Sequence, residues 1–135
     1  MIISTRGKYA LRIMIDLAET GGTGYTALKS IAERQQISHK YAEAIMSVLA
    51  KAELVDSVHG KGGGYRLNRK PEDYSVGEIL RLTEGSLTPV SCQGFDDAEP
   101  CERAGECRTF PMWEKLNRMI QDYIDSVSVA DLMKE

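Results

Sequence analysis

Three cysteines, Cys92, Cys101 and Cys107, are the residues of this chain best able to do chemistry, and their spacing is C-x8-C-x5-C. Thiolates are soft ligands that suit iron–sulfur clusters and zinc, and they are also groups that oxidise reversibly. The spacing holds no C-x-x-C pair, so a zinc ribbon and a thioredoxin-like motif both fit poorly, and it differs from the ferredoxin runs. Cluster, zinc and thiol switch all stay open on spacing alone. The count is odd and confined to one short stretch, whereas a secreted disulfide scaffold spreads an even number along its chain. The start, Met1-Ile2-Ile3-Ser4-Thr5-Arg6, lacks a basic segment followed by an apolar one. No apolar run approaches the roughly 18 residues of a membrane span. A cytoplasmic protein with no membrane partner is expected.

A second set of polar residues falls in the first half of the chain: Ser38, His39, Lys40, Tyr41 and Glu43, then His59, Lys61 and Arg66. Lys40 has the chemistry to meet a phosphate or a guanine edge, Glu43 to accept from a cytosine amino group, and Ser38 to reach a phosphate. The net charge of -3 hides an asymmetry that favours this use. Residues 1–70 carry 11 Lys/Arg against 6 Asp/Glu, and residues 71–135 carry 6 against 14. An acidic whole argues against nonspecific coating of nucleic acid, and a locally basic face remains compatible with it. With 135 residues, 42% hydrophobic and 27% charged, the chain has the size of one domain and an ordinary globular composition.

The elements that must position these groups follow from apolar periodicity. A helix is predicted from about Lys8 to Glu19, ended by the glycines at 21, 22 and 24. A short helix is predicted from about Ala27 to Gln35, opened by Tyr25 or Thr26. Ser38 stands where an N-cap belongs, before a third helix with Tyr41, Ala44, Ile45, Val48, Leu49 and Ala52 on one stripe. Two helices joined by so short a turn match a helix-turn-helix. Residues 54–58 and 65–67 predict a hairpin around the glycine-rich tip His59-Gly60-Lys61-Gly62-Gly63-Gly64. Together these predict a winged helix, with the third helix and the wing meeting DNA. Pro71-Glu72-Asp73 is expected as a loop, and Ser75 with Glu78 as a capping box for a helix closed by Gly85. Residues 86–110 show no period. Pro111 opens a helix of about sixteen residues with an apolar stripe through Met112, Trp113, Leu116, Met119, Ile120, Tyr123, Ile124 and Val127, which predicts pairing with a second copy, packing on the first helix being the alternative. No nucleophile–base set is evident, so an enzyme is not expected. A protein-interaction module that uses the winged helix on a partner enzyme is the alternative to DNA binding.

With these residues in place, the whole chain resembles the IscR/NsrR/RirA family of bacterial winged-helix transcription regulators. The matching segments are Ile3–Arg12, Leu28–Ala32, Ile37–Glu43, Gly60–Tyr65 and the three-cysteine stretch before a Trp-containing helix. The resemblance implies a mainly α fold with a small β-hairpin wing, divided as 1–85 winged helix-turn-helix, 86–110 cysteine loop and 111–135 dimerisation helix and tail. It implies a homodimer on palindromic double-stranded promoter DNA, controlling genes of cluster assembly or iron and sulfur homeostasis, as a repressor in the simplest case. Cys92, Cys101 and Cys107 would ligate the iron of a [2Fe-2S] or [4Fe-4S] cluster, delivered by cluster-assembly proteins. Glu43 would read bases. His59 stands where many members carry arginine.

Two departures leave the fourth ligand open. Where some members carry a histidine ligand this chain has Phe110, and where others carry an aspartate it has Lys8. Asp96, Asp97, Glu99, Glu102 and Glu106 are the acidic candidates nearby. The family also contains regulators of cysteine metabolism without the triad, so the triad here favours the cluster branch; a thiol- or zinc-switched regulator of the same family is the alternative reading.

Overall fold

The computed structural model describes residues 3–22, 24–90, 102–103 and 105–134. Cys92 and Cys101, with Asp96, Asp97 and Glu99, lie outside the described residues.

Capping chemistry sets where the first helix begins. Ser4 Oγ accepts from the Gly7 amide, so α1 runs Thr5–Thr20, starting earlier than the apolar repeat predicts. Glu84 Oε1 in turn accepts from the Ser4 N–H at 3.1 Å and the Ser4 hydroxyl at 2.5 Å. A carboxylate at the positive end of a helix is favourable. Ala10, Ile13, Met14 and Leu17 of α1 form the centre of the core.

Helix α2 spans Leu28–Gln35 and α3 spans His39–Lys51. Between them Gln36 takes a left-handed conformation, φ 56 and ψ 46, and Ile37 packs back on the core. Ser38 Oγ accepts from the Tyr41 amide at 3.0 Å, the expected cap. The expected opening of α2 differs. Ala27 occupies its N-cap without a side-chain bond, and Thr26 pairs instead with Tyr65, each amide donating to the other's carbonyl at 2.8 Å. The wing thus gains a third rung beside its two strands, β1 (Val55–Val58) and β2 (Gly64–Leu67). These are antiparallel, with Val55 opposite Leu67 and Val58 opposite Gly64. A Cβ on Gly64 would collide with the Thr26 carbonyl, which is why the tip ends in glycine.

Pro71–Asp73 form a 3-10 turn, and α4 follows over Val76–Glu84. Ser75 Oγ accepts from the Glu78 amide at 3.0 Å, while the Glu78 carboxylate engages Arg69 at 3.0 and 3.1 Å. Helix α5 runs Phe110–Ser126, close to prediction. One edge of α5 lies on α4: Arg81 donates to Asp125 at 2.7 and 3.0 Å and to Gln121 Oε1 at 2.7 Å. Ile124 and Val127 pack beside Val76, Leu80 and Leu87.

A last helix, α6 (Val129–Leu132), was not expected. Ser128 and Asp131 form a reciprocal capping box, and Val129 is fully buried with its amide on the Tyr74 carbonyl at 2.9 Å. The segment read as a tail therefore closes the core against α1 and the 3-10 turn. Tyr74 ties the parts together. Its buried hydroxyl donates to the Leu54 carbonyl at 2.8 Å and accepts from the Asn68 and Arg69 amides, each at 3.0 Å. Burial pushes its phenol above the ordinary value, with those amides and Arg69 opposing the shift.

Candidate nucleic-acid interface and cysteine segment

Helix α3 buries Ala42, Ile45, Met46 and Leu49. The predicted stripe is thus rotated: Ala44 is exposed, and Met46 faces the core. The outward face carries Lys40, Glu43, Ala44 and Ser47, a single stripe at helical spacing. Ala44 and Ser47 were missed by sequence reasoning. Their signal was positional, four and seven residues beyond Lys40, and an alanine and a serine carry no charge to draw notice. On such a face an alanine methyl is suited to a thymine methyl.

The N-terminus of α3 and the wing enclose a cleft of about 470 Å³, lined by His39 and Glu43 from α3 and by Ser57, His59 and Tyr65 from the hairpin. Strand alternation explains the choice, because Ser57 is paired with Tyr65 on one face of the hairpin. Asp56 and Arg66 are paired on the other face. Arg66 therefore lines a separate cleft with Asn68, Arg69 and Lys70, stacked 4.6 Å from the Tyr25 ring centre and 3.7 Å from Asp56. Lys61 is exposed at the tip. Ser38 and Lys40 are exposed at the start of α3. Tyr41 is half-buried, its ring edge-on to Tyr9 at 5.9 Å, with Arg12 4.7 Å above Tyr9. It anchors α3 on α1 more than it offers a free edge.

Behind this face, Asp16 fixes the angle between α1 and α2. Its side chain is 4% exposed and accepts from Arg34 at 2.6–3.1 Å, from Gln35 at 2.8 Å and from Thr20 at 3.2 Å. Burial opposes its charge, but these hydrogen bonds and the guanidinium outweigh burial and hold the carboxyl below its usual range. No sequence pattern marks this pair, whose members stand 18 residues apart.

Of the triad, Cys107 is described. It lies just before α5, half-buried, with Sγ 3.1 Å from Thr109 Oγ1. The Thr109 hydroxyl, the Thr109 and Phe110 amides and Arg103 lower its thiol from the ordinary value, as expected at a helix N-terminus. Phe110 opens α5, Lys8 is exposed on α1, and Glu102 and Glu106 are exposed. Among the described residues no three His, Cys, Asp or Glu side chains gather as a metal site. Gln121 links this segment to α5, donating to the Leu87 carbonyl at 3.0 Å.

On α5, Met112, Leu116, Met119 and Tyr123 are exposed by 50%, 37%, 60% and 69%, one apolar stripe with no partner among the described residues. No described helix is long and apolar enough to cross a membrane.

Comparison with known proteins places these features. Residues 3–135 match a family model described as Rrf2, iron-dependent transcriptional regulator. The chain is 38% identical to the HTH-type transcriptional regulator IscR of Aliivibrio salmonicida, over 98% of this chain and 77% of that one. It is 39% identical to the regulator CymR of Bacillus subtilis, over 98% and 89%. Among solved structures, the B. subtilis global cysteine regulator CymR aligns with a TM-score of 0.78 at 38% identity, covering 98% of this chain and 95% of that one. The IscR of T. potens aligns with a TM-score of 0.75 at 42% identity, covering 98% and 85%.

Proposed function

The chain belongs to the Rrf2 family of transcription regulators, and from that premise we propose that it is a homodimeric, DNA-binding sensor whose three cysteines hold an iron–sulfur cluster. The triad carries the reading. Cys107 is held toward the thiolate form that iron requires, and Cys92 and Cys101 supply two further soft donors in the same segment. A bound cluster would supply an assembly that is lost or altered when iron or oxidant levels change. The protein's own part is mechanical. The Gln121–Leu87 bond and the Arg81 bridge connect the start of the cysteine segment to α4 and α5, so a change in that segment shifts the helix that pairs the subunits. Subunit geometry sets the spacing of the two α3 helices on a palindrome. Lys40, Glu43, Ala44 and Ser47 enter the major groove, Ser38 and Lys61 meet phosphates, and Arg66 reaches flanking phosphates from the far face of the wing. Operators of cluster-assembly or iron and sulfur genes, held in repression, are the expected targets.

The test is purification without oxygen, followed by visible absorption and iron and sulfide analysis. Visible colour with bound iron and sulfide, both lost in Cys101→Ala while the fold persists, supports the cluster. Colourless protein after attempted reconstitution sinks it. A second reading, a thiol switch, is favoured by the lowered Cys107 thiol together with the similar identity, 38% in each case, to a global cysteine regulator and to an IscR. It expects no iron, and a DNA affinity that changes on thiol oxidation alone.

A further inference from the structure

The chain contains two histidines, and the fold brings both to one place. His39 is the first residue of α3 and His59 follows β1 at the wing, and both line the cleft into which DNA would enter. Each is exposed. Glu43 from α3 faces the same cleft, and so does Tyr65 from β2. The remaining walls, Leu28 of α2 with Ser57 and Val58 of β1, carry no ionisable group. The nearest other charges in sequence are Lys40 and Lys61.

Glu43 poses a problem for a polyanion. A carboxylate that accepts from a base must come close to two rows of phosphates, and among the residues that line this cleft there is no lysine or arginine to offset it. Imidazole is the side chain whose ordinary charge change falls between about pH 5 and 8. Phosphates that approach an imidazole favour its cationic form. An imidazolium in a narrow minor groove is also attracted by the potential there.

We infer that His39 and His59 form a proton-linked contact pair: binding DNA takes up protons from solvent onto these two imidazoles, so affinity rises as pH falls. The inference rests on the DNA-binding reading above. It adds that this regulator's occupancy of its sites follows pH independently of the state of its cysteines.

The test measures the affinity of the full chain for one mixed-sequence duplex of about three helical turns, at fixed ionic strength, from about pH 6 to 8. The wild type is expected to bind at least about tenfold more tightly at the lower end, the linkage expected when on average roughly half a proton or more is taken up across the range. His39→Gln and His59→Gln each reduce the slope of log affinity against pH, and the double variant flattens it. The readout is the slope, so a uniform loss of affinity in a variant does not mimic it. Folding of each variant is checked by circular dichroism across the same range. Asn replacements at both positions are a second set should a Gln variant misfold. A steep slope that survives in the folded double variant, or a flat slope in the wild type, overturns the inference while leaving DNA binding intact. Absence of any salt-dependent binding at every pH overturns the DNA-binding reading itself.

Discussion

Asp16 is the one charged side chain buried among the described residues, and it shows how a single pair orients a helix-turn-helix. Arg34, at 39% exposure, remains solvated if Asp16 is removed, whereas Asp16 loses its main partner if Arg34 is removed. Arg34→Ala is therefore expected to be the costlier change, by about 3 kcal/mol in urea unfolding near neutral pH, because it strands a buried carboxylate. The pH dependence has a definite sign. The folded carboxyl lies below its ordinary value, so its contribution is complete above about pH 4 and fades as pH falls through the folded value. In Arg34→Ala burial acts without the guanidinium, so the gap to wild type should narrow below about pH 4. A constant gap across acid pH would show that Arg34 acts through packing alone. At Cys107, Thr109→Val removes the hydroxyl that contributes most to lowering the thiol. Alkylation of the Cys107 peptide, followed by mass spectrometry near neutral pH, should slow several-fold.

Tyr74 is the corresponding anchor for the elements. Its hydroxyl serves Leu54 before β1 and the backbone after β2, and its own carbonyl receives α6. Tyr74→Phe keeps the ring and leaves those buried groups unpaired, an expected loss of about 1–3 kcal/mol in urea unfolding. An unchanged midpoint would mean that water replaces the hydroxyl. Sequence period found most of the elements. The 13-residue α3 and 17-residue α5 carry their own apolar repeats and appear almost where predicted. What the period missed was set by contacts between distant residues. The start of α1 depends on Glu84, 80 residues away. Four-residue α6 is too short to show a period, and its Ser128–Asp131 box was the local signal available. The face of α3 was misplaced because Ala44 and Ala42 are alike in the sequence, and only packing against α1 and α2 distinguishes them. The cleft between His39 and His59 was legible as two separate candidates, and their convergence required the wing to fold back over α3.

At the scale of the whole molecule, the stripe of Met112, Leu116, Met119 and Tyr123 decides whether the recognition helices act alone or together. Along α5 the opposite edge is already committed to α4 through Arg81, Gln121 and Asp125, so the exposed residues are surplus to the fold of one chain. A double variant, Met119→Glu with Tyr123→Lys, places charges in the stripe without touching that edge. It should retain helical circular dichroism and sediment at the 15.0 kDa of one chain, where wild type is expected to sediment at twice that mass. DNA affinity should fall much further than stability. Two tethered reading heads share one encounter, and losing the tether weakens binding to a palindrome by about 10²–10⁴-fold. Binding to a half-site should barely change, since the α3 face of each chain is intact. A variant that sediments as a dimer would move the subunit contact elsewhere. A monomer that still binds the palindrome as tightly as wild type would separate pairing from recognition, and would break the proposed route by which the cysteine segment acts on DNA through α5.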